Sequence, residues 1–246
     1  MSAPLLEVEG LHKSFGGNHA VRGVSFALQG GEVLALAGDN GAGKSTVIKM
    51  ISRVYTPDRG DVRLEGRSLS GATPREARDS GIETIYQDLA LAENLDVGAN
   101  LFLGRELEKH ILGLPFVDRK RMRRIAAAEM EKLGIRLPAP DISVRGLSGG
   151  QRQAIAIARA VYWEARVVIM DEPTAALGVP EQREVLGLVD RLRAQGVGIL
   201  FISHNLPDIF AAADRILVLA RGSVAGERRP AETTHEEVVR LMMGGA

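Results

Sequence analysis

The stretch Gly38-Asp39-Asn40-Gly41-Ala42-Gly43-Lys44-Ser45 constrains this chain more than any other. It fits the pattern G-x-x-x-x-G-K-[ST], and its flanks are those the pattern needs. Val33 to Ala37 is an apolar run of strand length, and Val47, Ile48 and Ile51 follow at helical spacing. A strand that turns through glycines into a helix aims backbone N–H groups and the positive end of the helix dipole at one spot, where an anion is held. Gly38, Asp39, Asn40, Gly41, Ala42, Gly43, Lys44, Ser45 and Thr46 are therefore the candidate nucleotide-binding residues. Lys44 is placed to reach the β- and γ-phosphates and Ser45 to offer its hydroxyl to Mg2+. The expected ligand is a nucleoside triphosphate.

Further short, β-branched runs bounded by turn or charged residues lie at Ile82 to Tyr86, Arg166 to Met170, Ile199 to Ser203 and Arg215 to Leu219. Helical patterns separate several of them. Pro180 opens one such helix, Val185, Leu188, Val189 and Leu192 give it an apolar stripe, and Gly196 stops it. This alternation predicts an α/β fold with a parallel sheet and crossover helices. Leu5 to Gly31 together with Gly60 to Arg67 reads as short strands and glycine turns, a small antiparallel sheet beside the main one. From about Asp88 to Arg145 the alternation stops and no strand is expected. There Met122, Ile125, Ala126, Met130 and Leu133 share one helical face, which predicts an inserted helical sub-domain. Glu236 to Met243 reads as a last helix.

A length of 246 residues suits one large α/β domain or a core carrying a sub-domain. The absence of cysteine excludes a disulfide framework, a cysteine-built zinc site and a thiol nucleophile. The 31 Lys and Arg balance the 31 Asp and Glu, so net charge supplies no pull toward nucleic acid, and no nucleic-acid partner is expected. Met1 to Gly10 carries Glu7 and Glu9 and lacks the basic-then-apolar order of an export signal. The longest apolar runs fall well short of the roughly 18 to 20 residues that cross a bilayer, so any membrane role is expected to run through a partner.

Two more segments carry chemistry. Val167-Val168-Ile169-Met170-Asp171-Glu172 is a buried-strand pattern ending in two acids, with Asp171 as the expected Mg2+ holder and Glu172 as the expected base for an attacking water. Leu147-Ser148-Gly149-Gly150-Gln151 contains S-x-x-Q, a capping box, ahead of the apolar stripe Ala154, Ile157, Ala158 and Val161. Its two glycines leave the N–H groups of that helix end unobstructed, as a second phosphate-binding surface requires.

With these motifs the chain resembles the nucleotide-binding subunit of an ATP-binding cassette (ABC) transporter over essentially its whole length. The glycine loop ending at Ser45, Gln87 after a strand, the signature Leu147 to Gln151, the pair Asp171 and Glu172, and His204 after another strand stand in the family's order. The resemblance implies a P-loop NTPase (RecA-like) core with an inserted helical sub-domain, at about 88–147, and a small antiparallel β sub-domain. It implies that ATP and Mg2+ are bound, with Phe15 stacked on adenine and Ser45, Gln87 and Asp171 at the metal. Glu172 and His204 would be catalytic, His204 contacting the γ-phosphate or orienting the water. Ser148, Gly149, Gly150 and Gln151 would act in trans on a nucleotide held by a second copy of the chain. One departure stands out: Ala175-Ala176-Leu177-Gly178 puts glycine where the family usually has an aspartate.

Tyr86 to Val97, Asn100 to Glu106 and the Ala-Ala-Leu-Gly ending are similar to bacterial monosaccharide importers, those for ribose, xylose, fructose or galactose. Within that group the chain resembles the single-cassette form. This implies a homodimer on two integral membrane permease subunits, an exported sugar-binding protein, and a peripheral location on the cytoplasmic face of the inner or plasma membrane. A soluble ABC-type ATPase, an importer ATPase for another cargo, and a P-loop kinase or GTPase are the alternatives. The run Arg119-Lys120-Arg121-Met122-Arg123-Arg124 is read as the solvated face of a helix opposite Met122, Ile125 and Met130, in preference to a site for nucleic acid or lipid headgroups.

Overall fold

The computed structural model describes residues 3–135, 137–139 and 141–244. They fall into two units, the first made of 3–87, 165–173 and 189–244, the second of the remainder.

The first unit holds two sheets. β1 (Leu6–Phe15), β2 (Asn18–Leu28), β4 (Arg59–Leu64) and β5 (Arg67–Ser68) form an antiparallel sheet in the order β2-β1-β4-β5. β3 (Val33–Gly38), β6 (Ile82–Ile85), β9 (Val167–Asp171), β10 (Gly198–Ile202), β11 (Arg215–Ala220) and β12 (Ser223–Arg228) form the main sheet, ordered β12-β11-β3-β10-β9-β6. All its neighbours are parallel except β12, which returns as a hairpin on β11. Every residue of β3 and β10 is buried, the pattern of strands covered on both faces. Leu34 and Leu36 face one core with Val47, Ile48, Met50 and Ile51 of α1 (Lys44–Ile51). Ala35 and Ala37 face the other, against Ile209 of α7 (Leu206–Ala212) and Val238 and Leu241 of α8 (His235–Met242). A further short helix, α2 (Pro74–Asp79), starts on a capping box between Thr73 and Glu76.

The second unit is built on α3 (Val97–Leu101), α4 (Arg119–Lys132), α5 (Gly149–Tyr162) and the first part of α6 (Val179–Ala194). Asp96 caps α3 through the Ala99 N–H at 2.8 Å and pairs with Arg123 of α4 at 2.7 Å. At Gly98 a Cβ would stand 2.8 Å from the Arg123 backbone nitrogen, so glycine permits the two helices to close. Fully buried Asn100 accepts from the Ala92 N–H (2.8 Å) and donates to the carbonyls of Ala92 and Asp96 (both 3.0 Å), which fixes the loop over 92–96.

The segment expected to lack strands carries a hairpin, β7 (Glu108–Ile111) and β8 (Leu114–Val117), turning at Leu112 and Gly113 with φ of 51° and 81°. All eight strand residues are exposed, so no buried face imposes the period-two alternation by which strands are read from sequence.

Candidate functional site

Four strands of the main sheet end along one edge, and each delivers a candidate residue there. In register, Ile202 of β10 sits beside Leu36 of β3 and Asp171 of β9, and Met170 beside Ile85 of β6. The glycine loop leaves β3, Glu172 leaves β9, His204 follows β10 and exposed Gln87 follows β6. The carboxyl edge of a parallel sheet is where α/β folds bind ligands, because there the loops converge and helices present their N-termini.

The glycine loop is shaped by its own backbone. Ala42 N–H donates to the Asp39 carbonyl (3.1 Å), and the Lys44 ammonium donates to the carbonyls of Gly38 (2.6 Å) and Asp39 (3.1 Å). Burial lowers the pKa of Lys44 from the ordinary lysine value, against the opposing pull of the Glu172, Asp171 and Asp39 carboxylates. Asp171 shifts the other way: burial and the neighbouring Glu172 carboxylate raise its pKa, with Lys44 and Lys49 opposing. Lys44, Asp171 and Glu172 thus form one charge cluster, with Ser45 exposed on the first turn of α1.

Gly43 has φ of 104°, and a Cβ there would stand 2.6 Å from the Ala20 carbonyl oxygen. Gly41 has φ of 80° but open space around it. Gly43→Ala therefore combines backbone strain with a clash against main chain, whereas Gly41→Ala carries the strain alone. We expect Gly43→Ala to lower unfolding free energy by about 1–3 kcal/mol and Gly41→Ala by less. Denaturant titration of both checks this, and equal losses would remove the Ala20 contact as the cause.

Glu172 sits in a left-handed backbone conformation, φ 50°, its N–H donating to the Ile202 carbonyl at 2.9 Å. Oε1 accepts from the His204 backbone N–H (3.1 Å) and lies 2.7 Å from His204 Nδ1, while Oε2 accepts from Ser203 Oγ (3.3 Å). The two residues expected to be catalytic are thus in direct contact, Glu172 mostly covered and the His204 ring exposed.

Beside the loop lies a cleft of about 600 Å³, lined by Asp39, Asn40, Gly41, Gly43, Lys44, Ser45 and Thr46 and by exposed Phe15. The Phe15 ring meets Tyr55 edge-on at 5.3 Å. Ala42 and Gly38 are buried beneath the lining. The remaining walls are Asn18, His19, Ala20 and Arg22 of β2 and Arg221 and Gly222 of the β11–β12 turn. These strand and turn residues have no motif spacing and so carry no signal in the sequence, although Gly222 is required. Its φ is 85°, its N–H donates to the Ala42 carbonyl (3.0 Å), and a Cβ there would reach within 2.8 Å of Ala20 O.

In the second unit Ser148 caps α5. Its Oγ accepts from Gln151 N–H (3.3 Å) and Gln151 Oε1 accepts from Ser148 N–H (3.1 Å), both arms of the expected box. Ser148 is exposed, Gly149 half-buried and Gly150 buried. Added Cβ atoms would meet Leu177 at 2.6 Å from Gly149 and Glu181 at 3.1 Å from Gly150, so the helix start is packed against the segment that opens α6.

The family model described as ABC transporter matches residues 21–175, from β2 through the acid pair. The chain belongs to the ABC transporter family. Among ABC proteins it is 48% identical over 238 residues to the xylose/arabinose import ATP-binding protein XylG of Sulfolobus acidocaldarius, covering 97% of this chain and 93% of that one. It is 46% identical to the fructose import ATP-binding protein FrcA of Rhizobium meliloti, covering 98% and 94%. The ribose import ATP-binding protein RbsA of Yersinia pestis is 41% identical, and there the match spans 98% of this chain but 46% of the relative. The fold is also that of a nucleotide-free ATP-binding cassette of an ABC transporter (TM-score 0.82, 25% identity, 98% and 96% of the two chains covered). Among the described residues no helix is long and apolar enough to cross a membrane.

Proposed function

We propose that this chain binds ATP in the cleft beside Lys44 and hydrolyses it to drive sugar import through a partner membrane permease. The observation that carries the reading is the gathering of Lys44, Asp171, Glu172 and His204 at one sheet edge, next to a cleft of nucleotide size. Phe15 offers its exposed face to the adenine. The N–H groups of 41–46 and the Lys44 ammonium hold the phosphates, giving up the carbonyls that Lys44 now contacts. Glu172 takes the proton of the attacking water, and His204 orients the carboxylate through Oε1.

The donor set around the phosphates suits Mg2+. Ser45 offers a hydroxyl, Gln87 an amide oxygen and Asp171 a half-buried carboxylate, all hard oxygen ligands, and Mg2+ takes few protein ligands because phosphates and water complete its shell. When bound, the ion neutralises charge on the β- and γ-phosphate oxygens. Ser148, Gly149, Gly150 and Gln151 of a second copy close over the nucleotide, so turnover requires a dimer. The permease holds the dimer at the cytoplasmic face of the membrane, and an exported sugar-binding protein delivers the cargo.

The names of XylG, FrcA and RbsA support a monosaccharide as that cargo. Reconstitution with its cognate permease and sugar-binding protein, with ATP hydrolysis measured across a panel of monosaccharides, tests the reading. Stimulation by one sugar is expected. Undiminished basal hydrolysis that no sugar stimulates would overturn the sugar assignment and leave the ATPase standing.

A further inference from the structure

We propose that the β7–β8 hairpin and the start of α4 together form a docking surface for an anionic lipid bilayer, by which the subunit touches the membrane directly. This goes beyond the ATPase reading and does not depend on it.

The hairpin is apolar at its tip and along most of one face. Ile111 pairs with Leu114 and Lys109 with Phe116, which puts Ile111, Leu114 and Phe116 on the same side of the two-stranded ribbon, with Lys109 beside them at the end nearer the base. They are 47%, 61% and 48% exposed, and Leu112 at the turn is 100% exposed. Scattered apolar residues on a surface are ordinary, but five within one hairpin, these four and Val117 on the other side, make a patch of the kind that marks an interaction site. Strands of four residues carry the Leu112 tip roughly 13 Å from the hairpin's base.

At that base the character changes abruptly. β8 ends at Val117, Asp118 caps α4 through the Arg121 N–H (3.0 Å), and α4 opens with Arg119-Lys120-Arg121. Arg119, Lys120, Arg121 and Arg124 are exposed and carry no ion pair among the described residues; Arg123 is held by Asp96. Arg119, Lys120, Arg123 and Arg124 also line a shallow groove along the helix, with room for an anionic group among them. The opposite face of α4 is committed to the core through buried Met122, Ala126 and Met130. Between 108 and 124 the chain has six Lys or Arg against two acids, although its overall charge is zero.

An apolar tip ahead of an unpaired cationic collar matches a bilayer surface in both respects. The tip enters the acyl boundary, and the collar meets the negative headgroups. Nucleic acid would use the collar and leave the tip in water. An acidic protein would use the collar without requiring a fully exposed leucine beyond it. Charge complementarity together with the position of the apolar tip therefore favours lipid.

The chain has no cysteine, so Leu112→Cys labelled with a polarity-sensitive fluorophore reports on the tip alone. With the full chain and vesicles of phosphatidylglycerol and phosphatidylcholine, a blue shift and co-sedimentation are expected. Both should fall at least about tenfold on vesicles of phosphatidylcholine alone or at high salt. Arg119→Glu/Lys120→Glu should abolish both, and Leu112→Asp should cut co-sedimentation several-fold, with thermal midpoint and basal ATP hydrolysis unchanged in each. Absence of vesicle binding, binding indifferent to lipid charge, or collar-dependent binding to duplex DNA with no shift at the tip would each overturn the proposal.

Discussion

Glu172→Gln is expected to reduce ATP turnover by about 10² to 10⁴-fold while leaving nucleotide affinity near that of the unmodified chain. The size follows from the role: a neutral amide cannot accept the proton of the attacking water. The selectivity follows from the surroundings. The amide oxygen can still accept from the His204 N–H, and the new amide N–H can donate to Ser203 Oγ, which stands 3.3 Å from Oε2. Glutamine also carries the same backbone cost as glutamate at φ 50°, so the local fold has no reason to relax. ATP bound without turnover should then accumulate a dimer of the chain, detected by size-exclusion chromatography with light scattering. A variant that hydrolyses at the normal rate would remove Glu172 as the base, and one that loses affinity and turnover together would point to a structural role.

The contact between Glu172 and His204 shows where sequence reasoning stopped. Each follows an apolar strand run and is legible by that position, because buried parallel strands read as short β-branched segments with little ambiguity. That they touch depends on β9 and β10 being neighbours in register, with Ile202 beside Asp171. Two residues 32 apart give no sign of that in the chain itself. The start of α5 was legible for the opposite reason: its capping box is a local interaction complete within Ser148 and Gln151.

The β7–β8 hairpin was invisible because it has no buried face and therefore no alternation, and Pro115 within it argues against a strand. The far walls of the cleft were missed for a related reason. His19 and Arg22 come from β2 and Arg221 from the β11–β12 turn, far apart in sequence and brought together when Arg22 N–H donates to the Gly222 carbonyl at 2.7 Å. Patterns that serve burial or a local cap are thus written in the sequence. Patterns that serve only a ligand or a surface surface late, once the sheet order is known.

Lys44→Ala carries the other large effect. The ammonium donates at 2.6 and 3.1 Å to two carbonyls of its own loop and offsets the Asp171 and Glu172 carboxylates behind it. With ATP bound it would exchange those carbonyls for phosphate oxygens. A charge-assisted hydrogen bond of that type is worth roughly 1.5–3 kcal/mol, or about 10 to 150-fold in affinity. The same substitution disturbs the loop itself by leaving two carbonyls without their donor, so lower affinity alone would be ambiguous. Titration calorimetry with ATP and with AMP separates the two contributions. AMP lacks the β- and γ-phosphates, so a lysine acting on them predicts a large loss for ATP and a small one for AMP. Equal losses would mean that Lys44 shapes the loop and does not bind the phosphates.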